Sequence, residues 1–253
     1  MKVLLYGLPR TRSTYLTDIL SQHYNLQNYF EPYHKAITES IDNSYDINQR
    51  DEKWQAYLIR CQEITNKLKI KDNFILKIFP EAIYNVPQIQ KRQFLPSELD
   101  LVPFIEFYNI GMYDQIYVTY RENKTDWLCS LLYAKNHDAF LFTNINKAKF
   151  YAPKKIKLEY NIPLEFFAFN ELMYEYGLRI LKHYTTNVVE LEYNEIPNYI
   201  KRNFSEIKSD LVDTQYDYKN NILNYEQIKI DYEKVTNNNI MLRAKDFLES
   251  LLP

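Results

Sequence analysis

Glycine is scarce in this chain: only Gly7, Gly111 and Gly177 occur in 253 residues. A dinucleotide fingerprint needs its glycines clustered in one turn, so this spacing excludes a G-x-G-x-x-G loop and the NAD or FAD enzymes built on it. Cysteine is scarcer still. Cys61 and Cys129 are the only two; with no C-x-x-C pair and no histidine cluster beside them, they exclude a disulfide framework and a zinc finger. Both are expected as reduced thiols. No apolar run approaches the ~20 residues of a membrane span, and Met-Lys-Val-Leu-Leu-Tyr-Gly at the start is too short for a secretory leader. The expectation is a soluble, cytoplasmic protein with no membrane partner. Charge of one sign is lacking as well, with 31 Lys and Arg against 33 Asp and Glu, a net charge of −2. Without a basic field or tail, nucleic acid is not an expected partner.

What the chain does have is length and apolar mass: 46% hydrophobic residues, with 24 tyrosines among its aromatics. A chain of this size buries roughly three quarters of its surface, enough to hold a core without disulfides or a structural metal. No internal repeat and no linker rich in Gly or Ser divides it, so a single domain over 1–253 is expected. Val3-Leu-Leu-Tyr6, ended by Gly7 and Pro9, predicts a buried strand running into a loop. Behind it, Tyr15, Leu16, Ile19, Leu20, His23 and Tyr24 fall on one helical face, with Ser13 as the expected N-cap. Further strands are predicted at 28–31, 74–79, 115–120 and 188–192, and helices at 54–69, near 98–108, behind Asn123 and Asp126, from Pro163 to near His183, and at 240–251. Segments 32–52, 81–112 and 136–162 lack this periodicity and are expected as excursions or lids. The lysines at 147, 149, 154, 155 and 157 read as a solvated face. Strands separated by helices predict an α/β three-layer sandwich with a mainly parallel central sheet.

Strand, loop and helix start at the beginning of the chain form the arrangement in which backbone N–H groups and the helix dipole hold an anion. The segment is Gly7-Leu-Pro-Arg-Thr-Arg-Ser-Thr-Tyr15. It is not a Walker A loop, since Arg12 and Ser13 stand where that motif has its second glycine and its lysine. It resembles the 5′-phosphosulfate loop of sulfotransferases that use 3′-phosphoadenosine 5′-phosphosulfate (PAPS): Pro9, Arg10, Thr11, Ser13 and Thr14 match, and Arg12 replaces the family's glycine. Tyr120-Arg-Glu-Asn-Lys-Thr-Asp-Trp-Leu-Cys-Ser130 is similar to that family's 3′-phosphate motif, which implies roles for Arg121 and Ser130. An arginine at a strand end and a hydroxyl on the following helix can together hold a phosphate dianion. Leu191-Glu-Tyr-Asn-Glu-Ile-Pro197 resembles a structural landmark of the same family.

The resemblance implies a P-loop-like sulfotransferase architecture and an enzyme that moves a sulfuryl group from PAPS to a hydroxyl or amine, on a small-molecule or glycan acceptor, with no metal. It implies that residues 9–14, Arg12 included, hold the 5′-phosphosulfate and that Arg10 and Lys77 stabilise developing charge. Many animal members place a histidine base two residues after that lysine, where this chain has Phe79. Glu31, in Tyr-Phe-Glu-Pro-Tyr, resembles the glutamate base of other branches; it is expected to be buried among Tyr29, Phe30 and Tyr33, with His34 as the alternative base. Two other functions stay open. One is a phosphotransferase using ATP and Mg²⁺, which calls for a Walker lysine and a metal-binding carboxylate. The other is a non-catalytic nucleotide-binding protein of the same fold.

Overall fold

Val3 and Leu5 pack to one side of a sheet and Leu4 and Tyr6 to the other, all four buried, as a strand covered on both faces requires. The computed structural model describes residues 1–34, 36, 50–80, 108–137, 155–160, 163–207, 209 and 217–252. In them this strand, β1 (Lys2–Gly7), is the centre of a five-stranded parallel sheet. The others are β2 (Gln27–Asn28), β3 (Phe74–Ile78), β4 (Gln115–Tyr120) and β5 (Val188–Glu192), in the spatial order β2-β3-β1-β4-β5. Register is set so that Leu5 pairs with Lys77 on one side and Tyr117 on the other.

The described helices are α1 (Ser13–His23), α2 (Arg50–Lys69), α3 (Lys124–His137), α4 (Leu164–Tyr184), α5 (Ile196–Asn203), α6 (Tyr218–Asn221), α7 (Tyr225–Thr236) and α8 (Asn239–Ser250). They divide between the two faces of the sheet. Leu16, Ile19 and Leu20 of α1 and Ile196 and Ile200 of α5 pack on Val3, Leu5, Ile75 and Tyr117. On the other face Tyr57, Trp127, Phe169, Ile228 and Met241, from α2, α3, α4, α7 and α8, meet Leu4, Tyr6, Leu76 and Val118. The protein is thus α/β, with helices on both sides of an all-parallel sheet. Because β1 is followed by a helix on one face and its neighbour β4 by a helix on the other, the sheet has a switch point there. Ligands of open α/β sheets bind outside the carboxyl ends of the strands at such a point. Among the described residues, no helix is long and apolar enough to cross a membrane.

The larger cluster is rich in tyrosine. Tyr6 stacks on Tyr174 with ring centroids 5.4 Å apart, and its hydroxyl lies 3.1 Å from the carbonyls of Met173 and Tyr174. Thr65 gives its proton to the Cys61 carbonyl, so the Tyr33 hydroxyl donates to Thr65 at 2.9 Å. Burial pushes the phenols of Tyr33, Tyr108, Tyr113 and Tyr174 above the ordinary tyrosine range.

The strands expected at 115–120 and 188–192 and the long helix behind Pro163 are where the pattern puts them. Asn123 caps α3, its Oδ1 accepting from the Asp126 N–H at 3.1 Å. Three expectations need correction. The second strand covers Gln27–Asn28, not 28–31. Ser13 is the first helical residue of α1, not its N-cap; Arg12 holds the cap position at φ 60°, and no side chain caps the helix. No helix is expected from the sequence between 192 and 240, yet this stretch carries α5, α6 and α7. Tyr225, Ile228 and Tyr232 of α7 bury on a three-four spacing that the surrounding polar residues obscure. The helix expected near 98–108 lies outside the described residues apart from Tyr108, as do Lys147, Lys149, Lys154 and most of the excursions at 32–52, 81–112 and 136–162.

β1 and β4 approach so closely at their ends that a Cβ on Gly7 would sit 2.4 Å from Thr119 Oγ1 and 2.7 Å from the Thr119 carbonyl oxygen. Contact, not φ, requires glycine there. At Gly111 no described residue lies within 4 Å of such a Cβ. Gly7→Ala is therefore expected to lower stability by roughly 1–3 kcal/mol. Gly111→Ala should change it by less than about 0.5 kcal/mol, the two being compared by urea unfolding midpoints.

Candidate functional site

The loop out of β1 is shaped from within. Thr11 donates to the Leu8 carbonyl at 2.7 Å and lies 2.8 Å from Thr119 Oγ1 at the end of β4. Its single proton being used on Leu8, Thr119 is the donor of that second bond. Trp127 of α3 donates from Nε1 to the Pro9 carbonyl at 2.9 Å. Pinned at both sides, the chain takes positive φ at Arg10 (66°) and Arg12 (60°) but not at Thr11 between them. Each such non-glycine residue costs about 1–2 kcal/mol. Alternation of this kind turns successive N–H groups to one side, the concavity that receives anions. Ser13 is buried and its carbonyl accepts from Thr17, while Thr14 opens the first turn of α1 toward β3.

Lys77 is a charged residue in an inner strand of the sheet, with only 1% of its side chain exposed. It faces the α1 side, like Ile75 two residues earlier, and its Nζ donates to Thr14 Oγ1 at 2.6 Å and pairs with the Glu31 carboxylate. Backbone geometry brings Glu31 there. After β2 the chain stays beside β3, Tyr29 N–H bonding the Ile75 carbonyl at 3.0 Å and Lys77 N–H bonding the Phe30 carbonyl; a positive φ of 52° at Phe30 then turns it. Glu31 is less enclosed than expected. Tyr33 is buried, but Phe30 is half exposed and the Glu31 side chain retains 29% of its surface, so the carboxylate is held by the ammonium at the edge of the site, not by an aromatic enclosure. His34 lies edge-on to Phe79 with centroids 5.7 Å apart, and Lys77 Nζ lies 5.2 Å from the same ring. His34 and Lys77 thus share contact with the Phe79 ring, while Glu31 pairs with the lysine directly. Burial lowers the proton affinity of Lys77 below the ordinary 10.5, and the charge and hydrogen bond of Glu31 oppose that shift.

On the other side of the loop, Arg10 Nε donates to Ser130 Oγ on α3 at 3.0 Å. Ser130 is buried, as are Arg12 and Arg121. Arg121 follows β4 and lies 3.8 Å from Asp126. Both guanidiniums stack on Tyr193, just beyond β5: the central carbon of Arg12 is 3.9 Å from the ring centroid and that of Arg121 4.0 Å. Arg12 also donates to the Tyr193 carbonyl. Of the residues singled out from the sequence, the structure brings together Lys77 with Glu31 and Thr14, Arg10 with Ser130, and Arg12 with Arg121 on the Tyr193 ring, while Pro9, Thr11 and Ser13 lie in the loop and helix start that join these groups. Tyr193 and Thr119 are the members the sequence did not disclose. Tyr193 sits inside the Leu191 to Pro197 landmark, which was assigned no role beyond structure. The two cysteines are free and buried, and burial pushes both thiols up to about 12. No family model, no curated protein and no solved structure matches the chain.

The Lys77 shift has a sign that can be measured. The unfolded chain binds the lysine proton up to about pH 10.5, while the folded one releases it earlier, so between the lowered folded value and 10.5 stability rises with pH. Lys77→Met removes this linkage. The stability difference between Lys77→Met and the unsubstituted protein is expected to shift in favour of the latter as pH climbs toward 10.5, whatever its value at neutral pH. Urea midpoints at a series of alkaline pH values test this, and a difference independent of pH would show that Lys77 is not shifted.

Proposed function

We propose that the protein transfers a sulfuryl group from PAPS to a hydroxyl or amine of a small-molecule or glycan acceptor, on a P-loop-like sulfotransferase architecture. The observation that carries this reading is the meeting of separate motifs at one edge: Arg10 of the first loop bonds Ser130 of the second motif, while Lys77 of β3 bonds Thr14 of the same loop and pairs with Glu31. Two further features support it. The loop leaves the central strand of a β2-β3-β1-β4-β5 parallel sheet at its switch point. Arg12, at the place of the family's glycine, adopts the positive φ that glycine favours.

In this reading the 5′-phosphosulfate lies in the concavity of residues 9–14, with the 3′-phosphate at Arg121 and Ser130. The acceptor oxygen or nitrogen attacks sulfur and forms a bond to it, while the bond from sulfur to the bridging oxygen breaks. The acceptor's proton passes to Glu31, and the electron pair leaves on adenosine 3′,5′-bisphosphate. Arg10 and Lys77 face the charge that grows on the bridging oxygen, which cations fixed in a partly dry site stabilise strongly. The ion pair between Glu31 and Lys77 keeps base and cation beside one reacting centre.

Calorimetric titration with adenosine 3′,5′-bisphosphate and, separately, with ATP and Mg²⁺ tests the donor class. Binding of the bisphosphate without metal, tighter than ATP and weakened in Arg121→Ala, is expected. A preference for ATP with Mg²⁺ would instead favour a phosphotransferase. Given an acceptor found by screening with PAPS, Glu31→Gln should lower kcat by roughly 10²- to 10⁴-fold while bisphosphate affinity holds. Tight bisphosphate binding with no turnover on any acceptor would mark a non-catalytic nucleotide-binding protein.

A further inference from the structure

Phe30 is held by its backbone on both sides. Its N–H donates to Asn28 Oδ1 at 2.8 Å and its carbonyl accepts from the Lys77 N–H, which fixes the residue at a φ of 52°. Glycine adopts that conformation freely and asparagine tolerates it, whereas a bulky side chain is an outlier there. Strain of this kind is retained where the side chain has a task that offsets it. Packing is not that task. Tyr29 lies against the larger core cluster, but among the described residues Phe30 packs against neither cluster and leaves 49% of its surface exposed. The next residue is Glu31, whose carboxylate is partly exposed beside Lys77. A hydroxyl or amine bonded to that carboxylate sits about 3 Å from it, and neighbouring Cα atoms are about 3.8 Å apart, so the carbon atoms that bear the nucleophile come within side-chain reach of Phe30. An exposed ring gains nothing from water, but one covered by an apolar face gains both the buried area and the aromatic contact.

We propose that Phe30 is an acceptor-binding residue, and that the acceptor carries a flat apolar face, an aromatic ring or the C–H face of a sugar, next to its nucleophile. This rests on the sulfuryl-transfer reading above and on Glu31 as its base. Phe30 acts on acceptor affinity and not on the chemical step, since its ring neither takes a proton nor faces charge. Acyclic polyols, which offer no such face, gain nothing from it.

The test follows transfer from PAPS to benzyl alcohol, methyl β-glucoside and glycerol by the full chain and by its Phe30→Asn and Phe30→Trp variants, with the affinity for adenosine 3′,5′-bisphosphate and the urea midpoint measured on each. Asparagine suits a positive φ, so Phe30→Asn is expected to be at least as stable as the unsubstituted protein and to bind the bisphosphate equally well. It should raise KM for a ring-bearing acceptor roughly tenfold, with kcat and the turnover of glycerol little changed. Phe30→Trp should keep the original KM. A rise confined to benzyl alcohol identifies an aromatic acceptor, and one confined to the glucoside a sugar. The contact is overturned, and the donor reading left standing, by an unchanged KM in Phe30→Asn, by a lowered urea midpoint in that variant, or by a chain that binds the bisphosphate yet transfers to neither ring-bearing acceptor. If the unsubstituted protein does not bind the bisphosphate, the donor reading fails and the contact with it.

Discussion

Thr11 and Thr119 share a hydrogen bond 2.8 Å long across the ends of β1 and β4, and Gly7 is the residue whose missing side chain lets those ends come so close. The arrangement at the carboxyl edge follows from this contact. With the loop drawn onto β4 and held at Pro9 by Trp127, the chain can enter α1 only through positive φ at Arg10 and Arg12. That entry directs α1 to one face while α3 runs on the other. The same closure delivers Arg10 to Ser130 and Arg12 to Tyr193. A methyl group at position 7 would therefore disturb the cations of the site through the sheet, without touching any of them.

Lys77 shows a second constraint at the same edge. An ammonium in a strand buried on both faces loses its hydration, and a partner at the surface restores only part of it. Glu31 and Thr14 supply that partial compensation, and the remaining deficit appears as the lowered proton affinity. Such a residue is a poor choice for stability alone. Replacing an ion pair of this kind with apolar groups is often neutral or stabilising, whereas deleting one partner leaves the other charge stranded. Its presence fits a strand whose task includes holding a positive charge beneath the loop.

Much of this was legible in the sequence, for identifiable reasons. β1, β3, β4 and β5 are short apolar runs stopped by Gly7, Pro80, Arg121 and Tyr193-Asn-Glu, and both α3 and α4 announce themselves by an Asn123 cap and by Pro163. The residues gathered at the edge were nameable in advance because the segments at the ends of β1 and β4 resemble motifs of a known family, a resemblance carried by short local stretches of sequence. What could not be read depends on contacts distant along the chain. Arg12 takes the cap position in place of Ser13 because the loop is tied to Thr119, more than a hundred residues away. Tyr193 has no local mark that separates it from the other tyrosines; its part is created by two arginines that arrive from β1 and β4. Glu31 is held by a salt bridge at the rim because Phe30 turns outward, a matter of one positive φ that no composition argument supplies. α7 escaped because its buried stripe of Tyr225, Ile228 and Tyr232 is diluted by polar neighbours.

The two sides of the sheet are unequal in depth. Among the described residues, the α1 side is packed by a small cluster around Leu16, Ile19, Leu20, Ile196 and Ile200, and the opposite side by a much larger one fed by several helices. Local opening is easiest where the fewest apolar contacts must be broken. The shallow layer is the one that carries Arg12, Ser13 and Thr14 at the start of α1, so the part of the molecule nearest to melting is also the part that an anion would grip. A ligand there adds its binding free energy where the fold has least to spare. The amides of α1 and α5 would then gain the most shelter from exchange, leaving the tyrosine-rich side, already deep, almost as it was.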